Sequence, residues 1–367
     1  MKLHTIDNLP NEIFLNLNIY RMKFLLLFTA LLVVHFAAAQ DTTATLKAYQ
    51  NYDFVAGNKI IFEDNFSTDP DGEFPTHWSL ENGQAVVNKF QNAPTLLLTD
   101  GNYASVSPLI KEKNYLPNEF TVEFDVFQAG EAYQLHVWFK NADKEDGLGY
   151  DINLENVTCN FLDEDKNRKE LHGTHPADKI YENYLNKWHH VAMIYKNKLV
   201  KIYTDERRSL VVPNCNFVPD RIFFGGIGSS ENPIVVRNVK IAAGGDANTL
   251  GKMFTDGKYI SHGIRFDVNK TTLRPEAMGE INAIAKILKE NTALKFEISG
   301  HTDADGDAVA NLTLSQRRAD AVKAQLVILG ISADRLTTKG YGITKPISEN
   351  TTFEGKADNR RVEFTKL

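Results

Sequence analysis

The stretch GHTDADGDAVANLTLSQRRADAV, Gly300–Val322, decides how the C-terminal part of this 367-residue chain is read. An acid, Asp303, follows the alternating apolar residues Leu294, Phe296 and Ile298, the pattern of a strand with one buried face. A base, Arg318, comes later, where the sequence turns to helical character. An acid and a base at the ends of adjoining elements suit a zwitterionic ligand. Arg318 can grip a carboxylate through two parallel charge-assisted hydrogen bonds, and Asp303 can accept from an ammonium. The backbone N–H groups of Leu314 and Ser315 are expected to open the helix and favour the same carboxylate. The plainer alternative is a structural salt bridge between Asp303 and Arg318.

Outward from this stretch, Ala277, Ile281, Ile284 and Leu288 recur at helical spacing behind Pro275. A second helical stripe, Ala319, Val322, Leu326 and Leu329, stops at Gly330. Leu336–Tyr341 and Val362–Thr365 read as short strands. Strands alternating with helices predict a layered α/β sandwich.

Six segments in this region, FDVNKTTLRPEA (266–277), GHTD (300–303), NLTLSQRRA (311–319), GISADRL (330–336), KGYG (339–342) and NRRVEF (359–364), stand in the order found in one family. The region resembles the OmpA-like peptidoglycan-binding domain. The resemblance implies that Asp303 and Arg318 grip the diaminopimelate of the peptidoglycan stem peptide. It implies that Thr302, Asn311, Phe266 and Asp267 line or support the pocket, and that Arg360 and Arg361 give structural support. The acid-rich loop Asp303-Ala304-Asp305-Gly306-Asp307 departs from the family pattern and adds negative charge beside the pocket.

Between Lys59 and Ala242 the pattern is short strands and polar turns. EFTVEFDVF (119–127) places Phe120, Val122, Phe124 and Val126 on one face, and YQLHVWFK (133–140) does the same with Tyr133, Leu135, Val137 and Phe139. WHHVAMIYKNKLVKIYTDERR (188–208) reads as two strands joined at Lys196-Asn197-Lys198. An antiparallel β-sandwich is expected. FEDNFSTDPDGEFPTHW (62–78), the hairpin at 188–205 and VRNVKIAAGG (236–245) resemble the concanavalin A-like, laminin-G-like jelly rolls. That resemblance implies a fold and a bias toward carbohydrate or protein ligands, without a particular activity.

Glu123 and Asp125 superficially suit a glycoside hydrolase. The second carboxylate would fall near Phe127 or Gln128, and neither is an acid. Glu123 and Asp125 are instead expected on the polar face of a half-solvated strand. Trp138, beside Gln134 and His136, is the candidate for sugar stacking, against the alternative of filling the second face. Asp69-Pro70-Asp71-Gly72, near Asp64, is read as a turn rather than a calcium loop. His172, His175, His189 and His190 lack the spacing of a zinc site. No metal or cofactor is expected.

Met22-Lys23, the apolar run Phe24–Phe36 and Ala37-Ala38-Ala39-Gln40 form a secretory signal peptide, with Met22 as the expected start and Gln40 as the first mature residue. No cysteine follows the cleavage point to take a lipid. Export permits a disulfide between Cys159 and Cys215; two buried thiols are the alternative. With 41 basic and 47 acidic residues, net charge is −6, and no nucleic-acid footprint or polybasic surface follows.

The expected organisation is a signal peptide (1–39), an N-terminal segment (40–58), an all-β jelly-roll sandwich (59–242), a linker (243–252) and the α/β domain of OmpA C-terminal type (253–367). The expected protein is exported, non-enzymatic and periplasmic or outer-membrane-associated. It binds peptidoglycan and displays the sandwich toward a carbohydrate or envelope protein. The alternatives are a wall-tethered glycan hydrolase and a transmembrane β-barrel carrying a periplasmic domain.

Overall fold

The computed structural model describes residues 52–99, 103–129, 135–141, 151–153, 157–163, 165, 167–173, 184–205, 207–245 and 257–367. The first part is β-rich. Its strands are β1 (Lys59–Asp64), β2 (Trp78–Asn82), β3 (Ala85–Phe90), β4 (Ala93–Leu98), β5 (Ala104–Pro108), β6 (Glu119–Gln128), β7 (His136–Lys140) and β8 (Asp151–Asn153). They continue as β9 (Thr158–Leu162), β10 (Arg168–His172), β11 (Trp188–Lys196), β12 (Leu199–Thr204), β13 (Arg207–Val212), β14 (Arg221–Gly226) and β15 (Ile234–Ala243).

All pair antiparallel, in two sheets ordered β13-β12-β11-β6-β15-β4-β3, with β1 also on β15, and β10-β9-β8-β7-β14-β5-β2. The β11–β12 turn falls at Asn197 and Lys198, both with positive φ, the conformation a two-residue hairpin needs. A bulge near Asn238 lets the same edge of β15 serve β4 and then β1.

Side chains from both sheets meet in one core. The rings of Phe124 (β6) and Phe224 (β14) lie 5.2 Å apart, and those of Phe120 and Phe139 lie 5.7 Å apart. Cys159 and Cys215 are buried in this core and are not joined by a disulfide. Among the described residues neither sheet closes on itself, and the two share an apolar core, whereas a transmembrane barrel needs a closed sheet with its apolar face outward. Among the described residues, no helix is long and apolar enough to cross a membrane.

The C-terminal part comprises β16 (Lys258–Ser261), α1 (Ala277–Glu290), β17 (Phe296–His301), α2 (Ala308–Ile328), a 3₁₀ turn (Ala333–Arg335), β18 (Leu336–Gly342), α3 (Phe353–Asn359) and β19 (Val362–Lys366). The sheet order is β16-β19-β17-β18, with only β17 and β18 parallel, joined through α2. Ile281, Ile284 and Leu288 of α1 and Ala319, Val322 and Leu326 of α2 bury their stripes against Phe296, Ile298 and Phe364.

The outer face of β6 corrects an expectation. Glu123 and Asp125 are 1% and 3% exposed, not half-solvated. The C-terminal part covers them. Glu123 lies 3.5 Å from Arg265, 3.8 Å from Lys240 and 3.6 Å from His190. Asp125 accepts from His190 at 2.9 Å and from Asn238 at 2.7 Å, and lies 3.3 Å from Arg237 and 3.5 Å from Arg274.

Residues 52–56 complete the seam. Tyr52, Phe54 and Ala56 pack on Ala192, Ile194 and Tyr203 of the first sheet, while Val55 enters the C-terminal core. Asp53 fastens the same segment through Lys201 at 2.6 Å and Tyr203 at 2.8 Å. The expected linker begins inside structure: β15 takes in Ala243, and Gly244 N–H donates to the Glu119 carbonyl. From Asp246 on, the expected linker lies outside the described residues.

His190 gives this seam a pH dependence. Burial alone would lower its pKa, but hydrogen bonds to Asp125 and Glu123 raise it from 6.5 to about 9. A raised folded-state pKa gives stability that is fully present below 6.5 and lost as pH rises through about 9. The unfolding free energies of wild type and His190→Gln should therefore differ by up to about 3 kcal/mol near pH 6, and by progressively less toward pH 9. A difference that stays constant across that range in urea titrations contradicts this role. Glu280, raised to about 7, titrates in both proteins and is removed by taking their difference.

Candidate functional site

The site is set by a close crossing of α2 over β17. A Cβ on Gly300 would meet the Ser315 carbonyl oxygen at 2.2 Å, and one on Gly340 would meet the Gln316 nitrogen at 2.4 Å. Only glycine lets the helix come so near. As a result Asp303, just past the end of β17, and Arg318, on α2, line one cleft of 470 Å³. Arg318 is held from behind. Its Nε donates to the Lys270 carbonyl at 3.1 Å, Nη2 donates to that of Asp267 at 3.4 Å, and the guanidinium stands 5.0 Å from the Phe266 ring centre. Burial lowers the Arg318 pKa, with Asp303 opposing the shift and Arg360 reinforcing it.

Asp303 is held from the other side. Arg360 Nη1 donates to its Oδ2 at 2.7 Å, and the Asp305 N–H donates to its Oδ1 at 3.2 Å. Arg360, expected only as support, thus touches the site's acid directly. Its Nη2 donates to Glu63 Oε2, on β1, at 2.8 Å. Arg361 is the supporting member of the pair: it is buried and bonded to Glu363 and to the carbonyls of Asn359 and Lys345.

The other expected positions divide. Phe266, Thr302, Asn311 and Leu314 line the cleft. Asn311 acts through its amide, which donates to the Asp305 carbonyl at 2.8 Å and shapes the acid-rich loop. Asp267 offers Arg318 its carbonyl, while its carboxylate lies 3.5 Å from Lys270. Ser315 is buried; its hydroxyl donates to the Leu312 carbonyl and accepts from the Gly342 N–H.

Leu314 and Ser315 do not open the helix. α2 begins at Ala308, capped by Asp307, whose carboxylate accepts from the Ala310 N–H at 2.8 Å. The N–H groups of Leu314 and Ser315 are therefore inside the helix and committed to its own ladder. A wider groove of 760 Å³ adjoins through Leu314, between Asn269–Thr272 and the first turns of α2.

The OmpA family matches residues 265–360, the segment that carries both walls of the Asp303–Arg318 crossing. The C-terminal domain is OmpA-like. The chain is 40% identical over 106 residues to the probable lipoprotein YiaD of Escherichia coli, covering 29% of this chain and 48% of that protein. It is 42% identical over 99 residues to outer membrane protein A of Bordetella avium, covering 27% and 51%. The chain thus spans about half the length of these relatives. Among solved structures, the peptidoglycan-associated lipoprotein of Burkholderia pseudomallei is 27% identical, with a TM-score of 0.27, covering 28% of this chain and 88% of that one. The matches indicate no catalytic family. The family match begins at Arg265, so the β-rich part precedes the OmpA-like segment.

The remaining candidates lie in that β-rich part. Trp138 is half-buried on β7, flanked by His136 at 5.7 Å and Tyr103 at 5.4 Å, and its ring fills the space beside Gly225. His189 is bonded to Asp205 at 2.9 Å and to the Tyr184 carbonyl at 2.7 Å, and His172 lies 3.1 Å from Glu170. His175 lies outside the described residues. Asp71 accepts from the Lys89 N–H, while Asp69 accepts from Thr76, and Asp64 from Phe66 N–H and Trp78 Nε1.

One group at the site, Glu63, is missed by the sequence, and one, Arg360, is expected only as support and touches the site's acid. Arg360 carried a signal in the Asn359-Arg360-Arg361 motif, but the motif alone did not say which arginine faces inward. Glu63 carried none, because its partner is far away in sequence.

Proposed function

We propose that this chain binds peptidoglycan non-covalently through the OmpA-like domain. In this reading the stem-peptide diaminopimelate places its ammonium on Asp303 and its carboxylate on Arg318. The supporting observation is that these opposite charges stand on the walls of one cleft, with Arg318 braced by two carbonyls and Asp303 by Arg360. Oriented donors and acceptors at fixed positions suit a zwitterion. The adjoining groove along α2 offers room for the rest of the stem peptide. Relatives named as outer-membrane proteins support association with the cell envelope. Export through the signal peptide at residues 22–39 belongs to the same reading.

The β-rich part, read as a concanavalin A-like sandwich, then presents a surface to a carbohydrate or envelope protein, with Trp138 as its candidate stacking residue. The glycan-hydrolase alternative is disfavoured. Glu123 and Asp125 are sealed beneath the OmpA-like domain and held far below the usual carboxylate range: burial opposes this, but Arg265 and Lys240 prevail at Glu123, and His190 and Arg274 at Asp125.

Co-sedimentation of the full chain with diaminopimelate-type sacculi tests the site. Wild type should pellet. Asp303→Ala and Arg318→Ala, each with an unchanged melting curve, should lose at least about tenfold in affinity, as expected for removing one partner of a charge-assisted contact. Equal pelleting of all three would move the contact elsewhere.

A further inference from the structure

The cleft is not built by the OmpA-like domain alone. Glu63 on β1 and Asn238 and Lys240 on β15 also line it. Glu63 is the one that engages the site's own charges. Arg360 divides its guanidinium between two carboxylates, Nη1 on Asp303 at 2.7 Å and Nη2 on Glu63 at 2.8 Å.

Asp303, Glu63, Arg318 and Arg360 together sum to zero, as does a zwitterionic ligand. Neighbouring charges are matched elsewhere: Lys356 with Asp305 at 2.8 Å, Arg361 with Glu363 at 2.8 Å, Arg274 with Glu276 at 3.3 Å, and Arg265 with Glu123 at 3.5 Å. Lys240 donates to the His262 carbonyl at 2.7 Å and faces Glu123. Without the charge on Glu63 the quartet would carry an excess positive charge. Arg360 could then turn both nitrogens toward Asp303 and cancel the carboxylate that has to attract an ammonium.

We propose that Glu63, supplied by the β-rich part, is a specificity-determining residue of the OmpA-like site. By sharing Arg360, it leaves Asp303 the negative charge that selects an ammonium-bearing amino acid over a plain dicarboxylate. This rests on the diaminopimelate reading above. It also gives the preceding part of the chain a direct role in wall recognition. Specificity arises here as a difference between two affinities, set by one charge outside the family's own segment.

The experiment is displacement of the full chain from sacculi by free diaminopimelate and by pimelate, which keeps the carbon chain and both carboxylates and has no ammonium. Wild type should be displaced at a much lower concentration of diaminopimelate than of pimelate. Glu63→Gln should shrink that preference about tenfold, the effect of one nearby charge in a partly buried site. Glu63→Asp, which keeps the charge, should retain most of it.

An unchanged preference in Glu63→Gln, with wild type behaving as expected, overturns the role of Glu63 and leaves the site standing. Loss of preference in Glu63→Asp as complete as in Glu63→Gln also overturns it, because charge would then not be the determinant. Wild type displaced by neither compound overturns the diaminopimelate reading and, with it, this inference.

Discussion

Replacing Arg265 by methionine is expected to destabilise the folded chain by about 3 kcal/mol, the lower end of the cost of breaking a buried ion pair, because Glu123 keeps two weaker cationic partners. Glu123 sits in the middle of β6, 1% exposed, with Arg265 at 3.5 Å, His190 at 3.6 Å and Lys240 at 3.8 Å. Burial would drive this carboxyl to hold its proton. It stays ionised because Arg265 first, and Lys240 next, favour the charge. With Arg265 gone, the buried Glu123 carboxylate loses the strongest of its three cations and is left to His190 at 3.6 Å and Lys240 at 3.8 Å. The urea midpoint should fall with an unchanged slope. Glu123→Met combined with Arg265→Met and Lys240→Met should recover much of the loss, since apolar side chains of similar volume then replace the whole buried set of ions. A single-variant cost below about 1 kcal/mol, the range of an exposed ion pair, would sink this account of the seam.

The second large effect is expected at Gly300. Alanine there puts a methyl 2.2 Å from the Ser315 carbonyl oxygen and 2.9 Å from its carbon, both backbone atoms of α2. A helix backbone does not yield as a side-chain tip does, so α2 must move off β17. The expected cost is about 3 kcal/mol, at the upper end of overpacking. Because Arg318 rides on the same helix, sacculus binding should fall even at temperatures where the variant is folded. Gly306 is the control. It has φ of +85° and nothing within 4 Å of a built Cβ, so alanine there brings backbone strain of only about 1 kcal/mol. Equal stability loss at the two glycines would show that the close crossing is not what matters at Gly300.

The C-terminal elements were legible because their signals are local. The α1 stripe of Ile281, Ile284 and Leu288 and the alternation of Phe296 and Ile298 report directly on one buried face each. The start of α2 was misplaced because its cap lies in the acid-rich loop. Asp307 looked like one more pocket charge, and it is the residue that satisfies the first turn. On β6, period-two alternation correctly separated Phe124 from Glu123. It could not say that the polar face would be roofed by another part of the same chain, where Arg265 and Arg274 wait to neutralise it. The OmpA-like motifs singled out Asp303 and Arg318. The partners Arg360 and Glu63 depend on how distant segments dock, which leaves no periodic trace.

Residues 52–56 carry a consequence for how far this protein can reach. A lone tether between two modules lets the outer one sweep a volume set by tether length. Here a second strand of chain stitches the modules together, with Val55 on one side and Tyr52 and Phe54 on the other. Cutting the peptide anywhere between residues 246 and 256 would leave both halves still clasped. The β-rich part is thereby held at a fixed height and heading relative to the cleft, closer to a bracket than to a leash.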